Sequence, residues 1–256
     1  MIHETCQIHP SADISDDVVV GAYAVIDKNV SIDSGCIIKN HAVIRENTSL
    51  GKNNTVYQFA TIGEEPQDLK FYGEDTKCTI GNNNIFREYC SVHRGTNKGI
   101  SNTIIGDNNL FMAYTHIAHD CVINDNCILS NAASLAGHVN VESNASLGGF
   151  TLVHQFCNIG KFAFSGLGSV VSQDVTPYTL VAGNHAKAYK INSEGLRRNN
   201  FSEETIKNLE RVFKLFLKSS KPLDEKKNIF NDLNITDSEV DYFISFISNS
   251  KRGVTR

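Results

Sequence analysis

Hydrophobic positions recur every six residues along most of this chain. Ten consecutive positions at this spacing are all β-branched or leucine: Ile8, Ile14, Val20, Ile26, Ile32, Ile38, Ile44, Leu50, Val56 and Ile62. With 41% hydrophobic residues overall, chance produces such a run in roughly one of ten thousand cases. A second run begins at Ile105 and continues to Val171, with one miss at Ser165. The pattern predicts a repeated structural unit over most of the chain.

The period of six fits a short strand followed by a turn, because it differs from both the helical period and the alternation of a single strand. If one apolar side chain per hexad points inward, three hexads complete one triangular coil of a parallel β-solenoid, and coils stack at about 4.8 Å. The position four residues after each aliphatic is mostly small, as a tight inner corner requires: Ala24, Cys36, Ala42, Thr48, Thr115, Cys121, Cys127, Ala133, Ala145, Thr151, Cys157 and Ala163. The pattern predicts a solenoid of roughly ten coils but does not determine its handedness.

Two segments interrupt the repeat. Ile62 and Ile80 are eighteen residues apart, so the phase is kept, but residues 64–75 carry no hexad pattern. We expect a protruding loop there that replaces most of one coil. Val92 and Ile105 are thirteen residues apart, one more than two hexads, which predicts a second excursion near residues 95–102. Loops on a rigid scaffold often carry function.

The end of the chain has helical spacing. Ser202 is a candidate N-cap for an amphipathic helix, Pro222 can open a second helix that ends near Leu233, and Thr236 with Glu239 forms a capping-box pattern before a third. The sequence therefore predicts a β-solenoid domain over residues 1–191 and a small helical domain over residues 192–256.

Composition narrows the class of protein. The formal net charge is −4 and there is no long basic run, which argues against a nucleic-acid partner. No stretch approaches the ~18 apolar residues of a membrane span, and the N-terminus lacks a signal-peptide pattern. Four of the seven cysteines, Cys36, Cys121, Cys127 and Cys157, occupy the small inner positions, which predicts buried thiols rather than disulfides or metal ligands. We expect a cytoplasmic protein without a transmembrane segment.

Histidines cluster in the middle coils. His138 follows His119 by nineteen residues and His154 follows His138 by sixteen, each about one coil, while His116 and Asp120 flank His119 closely. Side chains one coil apart can share a face of the solenoid, so these residues predict a site. A neutral histidine oriented by a carboxylate can act as a general base, and several histidines can instead bind zinc. The residues alone leave both chemistries open.

Longer motifs narrow the choice: residues 57–63 (YQFATIG), 67–70 (QDLK), 93–96 (HRGT), 116–121 (HIAHDC), 135–139 (LAGHV), 153–157 (VHQFC), 183–186 (GNHA) and 192–196 (NSEGL). Nearly end to end, the chain resembles the UDP-N-acetylglucosamine O-acyltransferases, which begin lipid A synthesis in Gram-negative bacteria. The resemblance implies a mainly β fold, namely a left-handed parallel β-helix with a small C-terminal α-helical domain. It also implies a homotrimer with active sites between neighbouring subunits.

In that family an (R)-3-hydroxyacyl group moves from acyl carrier protein to the 3-hydroxyl of UDP-N-acetylglucosamine. By resemblance, His119 is the general base, Asp120 orients it, and the backbone N–H of Gly137 stabilises the oxyanion. The resemblance also implies a set of substrate-binding residues: Gln67, Asp68, Lys70, His116, His138, His154, Gln155, His185, Asn192, Glu194 and Arg198. It implies no metal and no resident cofactor, since the 4′-phosphopantetheine arrives on the carrier protein.

Two positions depart from the family pattern. Many relatives have two adjacent arginines where this chain has Arg198 and Asn199, and Arg197 is an alternative source of the second charge. Leu167 aligns where long-chain members have glycine at the far end of the acyl groove. A leucine there predicts a shorter groove and a preference for ten- or twelve-carbon acyl chains.

Three other functions fit the sequence less well. The related N-acyltransferases carry a further domain before their hexads, which is not expected here because the hexads begin at Ile8. A zinc hydratase of the carbonic anhydrase type would leave the loop at residues 67–72 unexplained. A non-enzymatic scaffold would show uniform outward rows, in contrast to the histidine cluster.

Overall fold

The computed structural model describes the backbone of residues 1–256 and every side chain except that of Leu223. The chain forms short strands up to residue 191 and helices thereafter. The first nine strands are β1 (Gln7–Ile8), β2 (Asp13–Ile14), β3 (Val19–Val20), β4 (Val25–Ile26), β5 (Ser31–Ile32), β6 (Ile37–Ile38), β7 (Val43–Ile44), β8 (Thr48–Leu50) and β9 (Thr55–Val56). The next nine are β10 (Thr61–Glu64), β11 (Lys77–Ile80), β12 (Ile85–Phe86), β13 (Ser91–His93), β14 (Asn102–Ile105), β15 (Leu110–Phe111), β16 (His116–Ile117), β17 (Val122–Ile123) and β18 (Ile128–Leu129). The last nine are β19 (Ser134–Leu135), β20 (Asn140–Val141), β21 (Ser146–Leu147), β22 (Leu152–Val153), β23 (Asn158–Ile159), β24 (Phe164–Ser165), β25 (Val170–Val171), β26 (Thr179–Ala182) and β27 (Lys187–Ile191).

The strands form three sheets, each built from every third strand. Sheet 1 runs from β1 through β4 to β25, sheet 2 from β2 through β5 to β23, and sheet 3 from β3 through β6 to β24 and β26, with β27 antiparallel at its end. The result is a left-handed parallel β-helix, as the resemblance implies. We name its edges by the sheets they join: the chain turns at edge 1–2, then at edge 2–3, then at edge 3–1.

The hexad positions fill the interior of the helix. Every one from Val20 to Val171 is buried, including Phe86 and Phe111, whose rings stack with centroids 4.9 Å apart. Ser165, which breaks the hydrophobic pattern, is also buried, and its hydroxyl lies 2.8 Å from Thr151 Oγ1 and accepts a bond from the Gly148 N–H. The predicted core is therefore confirmed, and its one polar position is satisfied by hydrogen bonds.

A buried asparagine ladder runs along edge 2–3. The Asn54 side chain accepts a bond from the Asn84 N–H, Asn84 accepts from the Asn109 N–H, and Asn109 accepts from the Cys127 N–H, at 2.7–2.9 Å. Each asparagine replaces the small residue expected at an inner corner. Its side-chain oxygen accepts a backbone N–H that the turn would otherwise leave without a partner. The thiols predicted to be buried, among them Cys36 and Cys127, are free and buried.

Both interruptions of the repeat lie at edge 1–2, in successive coils. Along sheet 1, Thr61 pairs with Val43 eighteen residues earlier but with Ser91 thirty residues later, and Ser91 pairs with His116 after twenty-five. The first segment therefore adds twelve residues at one corner and the second adds seven. The prediction that the first loop replaces most of a coil was wrong: two whole hexads are inserted at the corner, and no coil is lost.

The helices are α1 (Ser193–Arg198), α2 (Glu203–Phe213), continued by a π-helical turn (Lys214–Lys218), α3 (Leu223–Asp232) and α4 (Ser238–Asn249). Ser202 caps α2 as predicted and accepts the Thr205 N–H at 3.0 Å. The predicted capping box at Thr236 was wrong, because Asp237 is the N-cap of α4 and accepts the Glu239 N–H. None of the helices, within the residues whose structure is described, has the length and apolar character needed to cross a bilayer. The change from strands to helices falls after Ile191, and the division into two domains there stays a prediction.

The helical segment packs on the C-terminal coils through polar side chains. The Tyr178 hydroxyl donates to the Glu239 carboxylate, Lys161 Nζ lies 2.7 Å from the same carboxylate, and the Tyr242 hydroxyl donates to Glu142 at 2.6 Å. Beyond α4 the chain returns to the β-helix, where Val254 forms a parallel bridge with Asp174. This returning segment, residues 250–256, is called the C-terminal tail below.

The stacked phenylalanines give a direct test of the core. We expect Phe111→Ala to lower the free energy of unfolding by about 3–5 kcal/mol, because it leaves a cavity between rigid coils. Tyr72→Ala, at a side chain that is 87% exposed, is the matched control and should change it by less than about 0.5 kcal/mol. Denaturant unfolding of both variants measures the difference, and equal losses would contradict the placement of Phe111.

Candidate functional site

The centre of the site is a histidine–carboxylate pair at edge 1–2, directly after β16. His119 Nδ1 lies 2.9 Å from Asp120 Oδ2, and the Asp120 side chain is fully buried while His119 is partly exposed. Because an ionised carboxylate only accepts hydrogen bonds, Nδ1 of His119 carries the proton and Nε2 keeps a free lone pair. The pair is thus arranged so that the exposed ring can accept a proton.

The second inserted loop holds Asp120 in place. The N–H of Thr96 lies 3.1 Å from both carboxylate oxygens, and the Thr96 hydroxyl donates to Oδ2 at 2.6 Å. Gly99 faces the carboxylate so closely that a Cβ there would lie 2.2 Å from Asp120 Cγ. Burial opposes ionisation of Asp120, but the hydrogen bonds from His119 and Thr96 outweigh it and hold the pKa of the carboxyl below its usual value.

Gly137 and His138 stand at the same edge in the next coil. A Cβ on Gly137 would lie 2.7 Å from His119 Cε1 and 2.8 Å from Nε2, so only glycine lets the ring approach this closely. The His138 N–H donates to the His119 carbonyl at 3.0 Å, and its ring stacks on Phe156 with centroids 4.5 Å apart. Burial lowers the pKa of His138, although the nearby carboxylates of Asp120 and Asp68 partly offset it.

His116 lies on β16, immediately before the pair, and beside a buried histidine. His116 Nδ1 lies 2.8 Å from Ser91 Oγ, and its ring meets His93 edge to face at 4.8 Å. Burial lowers the pKa of His116. Burial also lowers the pKa of His93 to about 4, and the repulsion that two protonated rings would feel adds to this effect. Both rings are therefore neutral at physiological pH.

His154 and Gln155 lie at edge 1–2 in the coil after that of His138. Together with His116, His119 and His138, His154 forms what is called the histidine row below. Both residues are exposed, and His154 Nδ1 lies 3.1 Å from the Gln155 carbonyl oxygen. The same nitrogen lies 3.2 Å from a terminal guanidinium nitrogen of Arg252, on the C-terminal tail. The tail therefore reaches the histidine row, although it is about a hundred residues away in sequence.

The first inserted loop carries Gln67, Asp68 and Lys70 near the row. The loop turns sharply where Asp68 accepts the Lys70 N–H at 2.9 Å. Arg94, which is almost fully buried, anchors its base through Glu65 Oε1 at 3.4 Å and Glu46 Oε1 at 2.9 Å. The Asp68 carboxylate acts to raise the pKa of His138, against the larger effect of burial. A contact of Gln67, Asp68 or Lys70 with a substrate stays a prediction.

The remaining predicted residues lie at other edges. Asn192 caps α1, and its amide donates to the Phe162 carbonyl at edge 2–3, while Glu194 and Arg198 are exposed on α1. His185 is exposed in the β26–β27 connection, where Asn184 bridges to Val170 of sheet 1. One protomer therefore does not bring these residues together with His119.

Arg197, the alternative source of the second positive charge beside Arg198, already forms ion pairs within the helical segment. Arg197 lies 2.7 Å from Glu194 and 2.7 Å from Glu203, so two carboxylates compensate its charge. Asn199 donates to the Gly195 carbonyl at 2.8 Å at the end of α1. Arg198 is the arginine of this helix that faces solvent without such an ion pair among the described side chains.

Leu167 lies at edge 3–1 and is 77% exposed. Its Cδ1 would be 3.1 Å from a Cβ on Gly149, so the side chain covers the glycine of the preceding coil. The leucine thus projects from the surface of a different edge from the one that carries His119.

Three side chains at edge 1–2, two histidines and one carboxylate, are close enough to share a metal ion. One ligand atom each of His119, Asp120 and His138 lie within 4.8 Å of one another. The Asp120 oxygens already accept bonds from Thr96 and His119, which leaves this carboxylate poorly suited to a further ligand role. The arrangement therefore favours proton transfer over metal binding.

Sequence reasoning missed the residues that support the pair. Thr96 and Gly99 lie within the predicted excursion at residues 95–102, one coil before His119, so the excursion and its position were the available signal. Phe156 lies within the motif at residues 153–157, which was the signal for it. Arg252 had no such signal, because its contact depends on where the tail meets the coils in space.

Comparison with known proteins gives the same assignment along the whole chain. The profile described as Udp N-acetylglucosamine O-acyltransferase, Domain 2, matches residues 174–255, and Bacterial transferase hexapeptide (six repeats) matches residues 11–46 and 102–137. The acyl-(acyl-carrier-protein)–UDP-N-acetylglucosamine O-acyltransferase of Herminiimonas arsenicoxydans is 44% identical over 260 residues, covering 100% of this chain and 99% of its own. The protein of the same name from Pseudomonas putida is 45% identical over 249 residues, covering 97% and 96%.

Solved structures of similar proteins carry the same family name. The UDP-N-acetylglucosamine O-acyltransferase of Moraxella catarrhalis is 41% identical with a TM-score of 0.96, covering 100% of this chain and 99% of its own. The UDP-N-acetylglucosamine acyltransferase of Bacteroides fragilis is 35% identical with a TM-score of 0.97, covering 100% of both chains. Because these similarities extend over the complete solenoid and the helical segment, the chain is an acyltransferase that belongs to the UDP-N-acetylglucosamine O-acyltransferase family.

Proposed function

We propose that this protein transfers an (R)-3-hydroxyacyl group from acyl carrier protein to the 3-hydroxyl of UDP-N-acetylglucosamine, the first step of lipid A biosynthesis, in the cytoplasm. The observation that carries the proposal is the His119–Asp120 pair beside Gly137. The reaction requires no resident cofactor, because the 4′-phosphopantetheine arrives on the carrier protein. The names of the full-length relatives support the choice of both substrates.

The chemistry begins with proton removal from the sugar hydroxyl. The Nε2 of His119 takes the proton, and the resulting oxygen nucleophile attacks the carbonyl carbon of the thioester. Asp120 keeps the proton of His119 on Nδ1 and stabilises the imidazolium that forms. His119 then returns the proton to the sulfur of the departing pantetheine, so the ring is neutral again at the end of the cycle.

The tetrahedral intermediate carries a negative oxygen that needs a donor. The Gly137 N–H donates to no backbone carbonyl within the described part of the chain, and the glycine lies against the His119 ring. It is therefore available to donate to the oxyanion on the side where the proton is exchanged. His116, His138 and Gln155 line the same edge and supply neutral polar contacts to the substrate.

The substrate set predicted for this reaction requires more than one subunit. His119 and the two loops lie at edge 1–2, Asn192 is attached at edge 2–3, and Leu167 lies at edge 3–1. A neighbouring copy can place its Asn192, Glu194, Arg198 and His185 opposite the histidine row. We therefore propose a homotrimer with the reaction in the clefts between subunits.

The outer face of sheet 3 is suited to contact with another copy of the chain because it is mostly apolar. Most of its outward positions along the register are apolar, namely Val19, Ile37, Ile85, Leu110, Ile128 and Phe164, and two polar residues, Thr55 and Ser146, interrupt this row. The corresponding row of sheet 2 is polar over most of its length: Asp13, Ser31, Ser49, Thr79, Asn140 and Asn158. Burying the row of sheet 3 against another copy removes apolar area from water at about 25 cal/mol per Å².

We expect His119→Ala and His119→Gln to lower the transfer rate by about 10²–10⁴, as loss of a general base does. Purified carrier protein loaded with a 3-hydroxyacyl group and UDP-N-acetylglucosamine are the substrates for the assay. The matched control is His41→Gln, a histidine at edge 3–1, which should keep its activity. Near-normal turnover of both His119 variants would refute the role of His119, and metal content that tracks activity would favour the zinc alternative.

We expect Ile85→Glu to break the trimer, because it places a charge in the apolar row of sheet 3. Thr79→Glu, at the outward row of sheet 2 in the same coil, is the control and should remain trimeric. Sedimentation at several protein concentrations distinguishes the two. A wild-type protein that is monomeric and fully active would contradict the proposal.

We propose that Leu167 limits the acyl chain and that ten- or twelve-carbon donors are preferred over longer ones. A leucine in place of glycine shortens the groove by about two to four methylenes, each worth about 0.8 kcal/mol when buried. Leu167→Gly should shift the preference toward fourteen- or sixteen-carbon donors, while Leu167→Ile should keep it. Competition between donors of four lengths measures this, and a wild-type preference for fourteen carbons that Leu167→Gly leaves unchanged would refute it.

A further inference from the structure

The C-terminal tail brings a cation to the histidine row. The tail is fixed to the last coils by the bridge between Val254 and Asp174, and by the Ser250 hydroxyl, which donates to Asp174 Oδ2 at 2.7 Å. Gln173 Nε2 also donates to the Arg252 carbonyl at 3.4 Å. The backbone of Arg252 is therefore held on the surface of the β-helix, and its side chain points along it.

The guanidinium of Arg252 has three neighbours there. One terminal nitrogen lies 3.2 Å from His154 Nδ1 and 3.3 Å from the Ser172 carbonyl oxygen. The Cys157 thiol is near the same side chain, and burial raises the pKa of this thiol to about 11 although Arg252 acts to lower it. The thiol is therefore neutral at physiological pH, and none of these three neighbours is an anion.

Two groups compete for the Nδ1 of His154. The Gln155 carbonyl oxygen, at 3.1 Å, can only accept and would require a proton on Nδ1, whereas Arg252 can only donate and requires a lone pair there. The positive charge of the guanidinium favours the lone pair, because a hydrogen bond with a charged donor is about twice as strong as a neutral one. The proton of the neutral ring is then on Nε2.

We propose that Arg252 is a positioning residue that fixes His154 as the Nε2–H tautomer and so makes it a hydrogen-bond donor to an oxygen atom of the substrate. Its counterpart His119 has the opposite arrangement, with the proton on Nδ1 and a free Nε2. The row thus holds one histidine that accepts a proton and one that donates a hydrogen bond. The tautomer of His154 does not depend on the proposed function. Only the contact between His154 and the substrate rests on the proposed function.

The tautomer can be measured directly in the full-length protein. Ring ¹⁵N chemical shifts of histidine-labelled protein distinguish protonated from unprotonated nitrogens, and loss of signals in His154→Gln assigns the ring. We expect an unprotonated Nδ1 in the wild type and in Arg252→Lys, which keeps a cationic donor. In Arg252→Met the proton should move to Nδ1, where the Gln155 carbonyl accepts it. A wild-type proton on Nδ1, or an unchanged spectrum in Arg252→Met, would overturn the proposal.

Kinetics test the consequence for the substrate. Arg252→Met should raise the KM for UDP-N-acetylglucosamine about tenfold, as loss of one hydrogen bond does, while kcat changes less than threefold. Lys251→Met, which removes an exposed cation from the neighbouring residue, is the control and should behave as the wild type. Arg252→Met combined with His154→Gln should be no worse than His154→Gln alone, since both act through one ring. Additive losses would refute the coupling, and a wild type without any transfer activity would refute the proposed function while the tautomer measurement still decides this proposal.

Discussion

Hydrogen bonding between successive coils is the constraint on which the rest of this structure depends. Each strand of two or three residues can be satisfied only by the strand one coil earlier and one coil later, and the regular spacing is eighteen residues. This register places equivalent side chains in continuous rows, which is why the core, the asparagine ladder and the histidine row all run parallel to the long axis. A shift by one residue would turn every buried hexad position outward.

The candidate site around His119 lies within this regular register and does not disturb it. The two insertions add length at a corner, where the chain already turns, so the strands on both sides keep their register. Lengthening an external loop costs little free energy because closure entropy grows slowly with loop length. The second insertion then supplies the Thr96 donors that a buried carboxylate requires, and Asp120 can remain ionised beneath His119.

Polar contacts join the helical segment to the end of the solenoid. Lys161 lies near Glu239 and over the ring of Tyr242, and Asp174 accepts bonds from both the solenoid and the tail. These contacts cap the last coil, whose strand edges would otherwise be open to pairing with other chains. They also determine where the tail runs, and hence which histidine of the row it meets.

The sequence by itself determined the solenoid, its core positions, the two excursions and the histidine cluster, because a six-residue period in a stacked coil translates directly into rows in space. The motifs added the family and, through it, the handedness and the roles proposed for His119, Asp120 and Gly137. Only the tertiary structure decided that both insertions share one edge with His119, that Thr96 and Gly99 hold Asp120, and that Arg252 meets His154. These facts depend on which corner absorbs the extra residues and on the path of the tail over the coils, and neither leaves a periodic signal in the sequence.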